Sequence, residues 1–202
     1  MNRQRGFTLI ELITTMAIAA IVLTIGVPSF QAMMRNNRAA TYTNEFMSAL
    51  SLARSEAIKR GWRVTMCPGT QSGCNGNAWG NGWIVFVDAD ADGNGVLDTA
   101  ATDSNGTLDG GEVVLRVYEA FGGNTTLLGS APVSQYISFS PDGATRLAGG
   151  NVSLPCTPTL PCALTLSLCY NNNQQNQIII NSVGRARVNN QTSAQTGTAC
   201  TN

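Results

Sequence analysis

Residues 7–30 read FTLIELITTMAIAAIVLTIGVPSF, 24 residues with a single ionisable side chain, Glu11. About 20 apolar residues in a helix cross the hydrocarbon core of a bilayer, so this stretch is long and apolar enough to do so. Arg3 and Arg5 precede it, and the next charges are Arg35 and Arg38. Two ordinary readings fit: a signal anchor, or a cleavable secretory signal with its basic and apolar regions. Neither accounts for Glu11. A lone carboxylate at that depth costs about 2.5–3.5 kcal/mol on insertion scales, and such a residue is a functional candidate.

Beyond Pro28 the apolar residues become periodic. Ala39, Tyr42, Phe46, Leu50, Ala53 and Ala57 recur at spacings of three and four, which places them on one helical face. The pattern stops at Lys59-Arg60-Gly61, with cations in the last turn and a glycine after it. A helix from Phe7 to Arg60 extends roughly 80 Å at about 1.5 Å per residue. Its first half is expected in lipid or in a packed assembly, its second half across a sheet. As single residues, Arg54, Glu56, Lys59 and Arg60 need no more than a solvated charged end.

The remainder changes character. Residues 62–67, 83–87, 113–118, 136–139, 164–170 and 177–183 are short runs rich in β-formers, separated by Gly, Asn and Pro. Ser140-Pro141-Asp142-Gly143 is a turn signal. Short strands at this spacing predict antiparallel sheets rather than βαβ units. The class is therefore α+β: 7–30 an apolar membrane or assembly helix, 31–61 an amphipathic helix, 62–202 a β-rich head. The chain of 202 residues has no histidine, and its 12 basic and 12 acidic residues balance. Without histidine, Ser-His-Asp and Cys-His catalysis and His-containing zinc sites are excluded. No nucleophile–base pair and no phosphate-cradling loop is visible, so an enzyme is not expected.

Arg5-Gly6-Phe7-Thr8-Leu9-Ile10-Glu11 resembles the class III signal of type IV pilins and pseudopilins. The resemblance implies that a prepilin peptidase removes residues 1–6 by cutting between Gly6 and Phe7, and that the new Phe7 amine is methylated. It implies that the Glu11 carboxylate meets the N-terminal amine of a neighbouring subunit during assembly. A buried carboxylate is tolerable beside such a cation. Pro28 matches a proline that kinks or loosens this helix in the family. Residues 49–60, ALSLARSEAIKR, and Trp79-Gly-Asn-Gly-Trp83 resemble one subgroup, the FimT/FimU minor pilins and the H-type pseudopilins of type II secretion. That subgroup implies a type IV pilin-like fold, with sheets packed on the second half of the helix. It also implies other pilins as partners and an inner-membrane subunit that moves into a surface pilus.

Six cysteines, Cys67, Cys74, Cys156, Cys162, Cys169 and Cys200, all follow residue 60. An even count in an exported segment suggests disulfides. Sequence alone leaves the connectivity open. Pairing near neighbours gives Cys67–Cys74 and Cys156–Cys162, and so Cys169–Cys200. The resemblance supports the last pair, because a cysteine pair often brackets the family's Gly-Arg motif.

Two local charge imbalances remain. Asp88, Asp90, Asp92, Asp98, Asp103, Asp109 and Glu112 are acids in a stretch without a base. Asp90, Asp92, Asn94 and Asp98, with Gly95 at the sharp turn, fit the opening positions of an EF-hand-like calcium loop. The closing position is Ala101, where a bidentate Glu is needed. A solvated Asp/Asn/Gly hairpin loop explains the same residues, so no cofactor is required, and calcium is the alternative.

The second imbalance is basic. After Asp142 the only charged side chains are Arg146, Arg185 and Arg187. If the segment after Ile178-Ile-Ile180 stays extended, Arg185 and Arg187 project to one face about 6.6 Å apart. Gly184 would allow a tight turn or the close approach of a ligand. Asn181, Ser182, Asn189 and Asn190 add neutral donors. Guanidinium groups pair with phosphate bidentately, and backbone contacts of that kind hold nucleic acid without sequence choice. Gly184-Arg-Ala-Arg187 resembles the GRxR motif of FimT-type minor pilins, which the resemblance links to DNA capture in natural transformation; no aromatic platform for single strands stands near the motif, so double-stranded DNA is the expected partner. An Arg-x-Arg on an exposed edge strand is equally explained as a solubility device. Three functional readings follow: a DNA-binding minor pilin, a purely structural minor pilin priming assembly or adhesion, and an H-type pseudopilin of type II secretion.

Overall fold

A computed structural model describes residues 7–75, 78–88, 106–108, 112–129, 133–146, 163–171, 173–190 and 200. It divides into two compact units, Met1–Ala40 and Thr41–Asn202. One helix, α1 (Leu9–Arg60), contributes to both. In the first unit Thr8 caps it: the Glu11 N–H donates to Thr8 Oγ1 at 3.3 Å and the Leu12 N–H to Thr8 O at 3.2 Å. Thr14, Thr15 and Thr24 return their hydroxyls to the carbonyls of Glu11, Leu12 and Ile21, so these three do not stand unsatisfied in the apolar run. An 18-residue window has mean hydropathy 2.2, with none of it buried, so this helix is long and apolar enough to cross a membrane. Pro28 lies inside it, and the helix continues through that position.

In the second unit the helix end carries the expected stripe. Phe46, Leu50, Ala53 and Ala57 are buried, joined by Thr43 and Ala49. Phe46 meets Trp79 and Trp83 edge-on, with ring centroids 5.4 and 5.2 Å away, and Tyr42 stacks on Phe121 at 4.2 Å. Gly61 ends the helix in the left-handed region, its N–H donating to Ala57 O.

The strands are β1 (Val64–Thr70), β2 (Gly73–Cys74), β3 (Trp83–Val87), β4 (Val114–Tyr118), β5 (Thr125–Gly129), β6 (Ile137–Phe139), β7 (Thr145–Arg146), β8 (Ala163–Tyr170), β9 (Asn173–Asn181) and β10 (Ala186–Asn190). One sheet runs β4-β3-β1-β6-β7 with β2 added beside β1; the other runs β10-β9-β8-β5. Every pairing is antiparallel. Cys67 is bonded to Cys74, and Cys169 to Cys200. Cys156 and Cys162 lie outside the described residues.

Two sequence expectations are corrected. The first strand does not occupy 62–67 but runs on to Thr70, because Pro68 pairs with Trp83 at a position that needs no N–H from it. The strand expected at 177–183 stops at Asn181, where the chain turns. The turn takes residues 182–184, and Arg185, whose carbonyl accepts the Asn181 N–H, directly precedes β10, which holds Arg187. β2, β5, β7 and β10 were not among the expected strands: they are short, polar or glycine-flanked, and β5, β7 and β10 lie at sheet edges.

Candidate functional site

The arginine segment is a hairpin. The Gly184 N–H donates to Asn181 O and the Asn181 N–H to Arg185 O, both at 3.0 Å. Gly184 has φ +75°, the left-handed position of a turn with a glycine bulge. The Asn181 side chain uses its acceptor within the hairpin. Its Oδ1 accepts the Arg185 N–H at 2.8 Å and so fixes the residue that carries the first guanidinium. Arg185, Arg187 and Asn189 are exposed. Among the described residues neither Arg185 nor Arg187 joins an ion pair.

A second hairpin of the same kind abuts the first. The Gly143 N–H donates to Ser140 O at 2.8 Å, the Ser140 N–H to Ala144 O at 3.0 Å, and Gly143 has φ +76°. Asp142 Oδ1 accepts from the Ser140 hydroxyl and the Ala144 N–H. These bonds, the hydroxyl first, hold its carboxyl below the usual carboxylate range, with the Arg146 charge assisting. The two hairpins are joined through Thr145: its N–H donates to Ser182 O at 3.1 Å and its hydroxyl to Asn181 O at 2.9 Å. Arg146, next in the chain, is half-buried and lies 3.4 Å from Asp142.

Gly184 comes close to backbone rather than to a ligand. A Cβ there would lie 2.1 Å from Gly143 O. The helix reaches the same point, where Arg54 Nε donates to Gly143 O at 3.0 Å. A groove of about 490 Å³ runs between this helix face and the arginine turn, lined by Met47, Leu50, Ser51, Arg54, Ser55, Ile58 and residues 184–186. Arg54 is thus not part of a solvated helix end. Lys59 and Arg60 are, since both pair with Glu56. Sequence reasoning missed Arg54, Thr145 and the docking role of Gly143. The Asn-x-x-Gly and Ser-x-x-Gly spacings of the twin turns were the only visible signal. A second cleft, about 560 Å³ in volume, is lined by neutral residues that include Asn81, Asn124, Thr126 and Asn171.

At the base of the acidic stretch Asp88 is buried, not solvated. Its Oδ2 accepts from the Thr65 hydroxyl and the Gly106 N–H, and its own N–H donates to Arg63 O. Burial lowers the pKa of the Arg63 guanidinium, and the nearby Asp88 charge opposes that. Asp88 is a structural carboxylate that ties the two ends of the loop. The calcium candidates Asp90, Asp92, Asn94 and Asp98 lie outside the described residues, as does Gly6. Phe7 and Glu11 are exposed at the helix start.

Residues 42–184 match a family model described as type II transport protein GspH, and residues 1–27 match the prokaryotic N-terminal methylation motif. The chain is 34% identical over 73 residues to prepilin peptidase-dependent protein D of Escherichia coli (strain K12). That match takes in 36% of this chain and 49% of the relative, so the chain spans about half the length of the curated protein it resembles. It is also similar to the crystal structure of the Pseudomonas aeruginosa (strain PAO1) type IV minor pilin FimU, with a TM-score of 0.52 and 17% identity over 83% of this chain and 98% of that one. At that identity the likeness shows the fold, a type IV pilin-like α+β arrangement of one long N-terminal helix and antiparallel sheets.

Proposed function

This chain belongs to the family of the type II transport protein GspH, and on that premise we propose that it is a minor pilin of a type IV pilus that holds double-stranded DNA on its arginine hairpin. The observation that carries this reading is that Arg185 and Arg187 are exposed and, among the described residues, join no ion pair, on a hairpin whose turn is fixed by Asn181 and backed by a second turn. Their exposed guanidinium groups are open to phosphate, which a guanidinium grips bidentately. No acid follows Asp142 in the sequence, and Asp142 itself, in the abutting hairpin, lies 3.4 Å from Arg146. Two phosphate contacts are weak and salt-sensitive, so capture relies on several subunits acting together.

Assembly follows the N-terminal chemistry. Residues 1–6 leave by prepilin peptidase cleavage between Gly6 and Phe7, and the amine of Phe7 is methylated. The apolar helix holds the subunit in the inner membrane until it joins other pilins in a surface filament. There Glu11 pairs with a neighbour's amine, and a paired buried carboxylate is worth keeping where an unpaired one is not.

The test uses the full chain in nonionic detergent with a labelled random-sequence duplex. Arg185→Gln with Arg187→Gln is expected to abolish binding at low salt without lowering the thermal melt. Equal binding by parent and double variant rejects the hairpin as the site. The description of the family model favours a second reading, a pseudopilin of type II protein secretion. A deletion strain that loses secretion and keeps DNA uptake supports that reading over the first.

A further inference from the structure

The helix face beside the arginine hairpin belongs to the same surface. Arg54 differs from the other cations of the helix end. Lys59 and Arg60 share Glu56, whereas among the described residues Arg54 has no carboxylate partner. It is half-buried, and its one hydrogen bond among the described residues runs from Nε to Gly143 O. A guanidinium carries five N–H donors in a fixed plane, so the bond at Nε orients the group and leaves the terminal nitrogens for another acceptor. Arg54 and Arg185 line one groove, and its floor is Met47, Leu50 and Ile58. The Ser51 and Ser55 hydroxyls donate to the helix carbonyls of Met47 and Leu52. The strong donors left in the groove are therefore the two arginines.

We propose that Arg54 is a third phosphate-contacting guanidinium of the arginine hairpin, and that the groove it shares with Arg185 seats one strand of a duplex backbone. This rests on the DNA-binding reading above and extends the contact from the sheet edge to the helix. A sugar-phosphate strand fits both surfaces of the groove, its anionic oxygens facing the guanidinium groups and its deoxyribose edge the apolar floor.

The experiment measures duplex binding by the full chain in nonionic detergent across a salt series. Each phosphate neutralised on duplex DNA adds about 0.9 to the slope of log K against log salt. Arg54→Gln is expected to lower that slope by about one contact and weaken binding roughly tenfold, the worth of one charge-assisted hydrogen bond. Arg54→Lys, which keeps the charge, is expected to keep the slope. A parent that binds while Arg54→Gln leaves the slope unchanged overturns this inference alone and makes Arg54 only a strut for Gly143. A parent that does not bind overturns the DNA reading and this inference with it. Ser51→Glu gives a variant that leaves Gly143 untouched. The carboxylate it places in the groove is expected to weaken binding at an unchanged melt, and parent-like binding by this variant also overturns the inference.

Discussion

Gly143 and Gly184 occupy the same position in two hairpins of the same design, and they meet there. Each has a left-handed φ, +76° and +75°, and each gives its N–H to the carbonyl three residues earlier. The Gly143 carbonyl oxygen fills the space a Gly184 side chain would need, and it also accepts the Arg54 Nε–H. Helix, first hairpin and second hairpin are thus tied at one oxygen atom. The tie explains how an edge hairpin with a polar sequence keeps its backbone in place.

The first prediction concerns Gly184→Ala. A Cβ at 2.1 Å from a backbone oxygen forces the two turns apart, and the left-handed conformation adds its own cost. Together these destabilise the fold by about 2–4 kcal/mol, combining a left-handed residue with overpacking. Val183→Ala, at an exposed neighbouring position, is expected to change stability by less than about 0.5 kcal/mol. Urea unfolding of the two variants checks the difference, and equal midpoints would show that the turns are not in contact.

The periodicity of Phe46, Leu50, Ala53 and Ala57 and the stop at Gly61 made the helix legible, because a buried stripe and a terminating glycine are local facts. The β-rich runs around Ile84 and Ile178 were legible for the same reason. What escaped were contacts between segments far apart in the chain. Arg54 lies 89 residues from Gly143. Nothing in a run of Ala, Arg, Ser and Glu says which cation folds inward and which pairs with Glu56. Arg185 and Arg187 were found as chemistry and Gly184 as a possible turn, but the strand was expected to reach residue 183, whereas it ends at Asn181. Asp88 was counted with a solvated loop because its partners Thr65 and Gly106 are remote in sequence.

The disulfides differ in leverage. Cys169–Cys200 spans 31 residues and Cys67–Cys74 only 7. A cross-link restricts the unfolded chain more as its loop lengthens, giving about 3.7 kcal/mol for the first and about 2.4 kcal/mol for the second. Paired Cys→Ser variants are expected to follow that order in urea unfolding. The reverse order would show that local native contacts, not chain entropy, set the contribution.

Asp88 is committed to the fold, with Thr65 and Gly106 as donors and the buried Arg63 beside it. Asp88→Ala removes the counter-charge of a buried guanidinium and is expected to cost about 3–5 kcal/mol. Asp88→Asn keeps an acceptor for the Gly106 N–H and is expected to cost less. The two melts are compared with and without calcium. A parent melt that calcium raises, with no such rise in either variant, would assign Asp88 to metal binding instead of to closing the loop.

The last prediction follows from the depressed carboxyl of Asp142, held first by the Ser140 hydroxyl, then by the Ala144 N–H and, more weakly, by Arg146. A carboxyl whose folded pKa lies below its unfolded value adds stability above the unfolded value, and that stability is lost as pH falls through the folded one. Asp142→Asn keeps the acceptor at Oδ1 and removes only the charge. Because the Asp142 side chain is 61% exposed, solvent screening keeps the effect below about 1 kcal/mol at neutral pH. The parent is therefore expected to be slightly the more stable at pH 7, and its advantage to shrink below about pH 3.9, the ordinary range of an unfolded aspartate. Urea midpoints of both proteins across that range check the sign: a gap that stays constant into strong acid would mean that the charge of Asp142 contributes nothing to the turn.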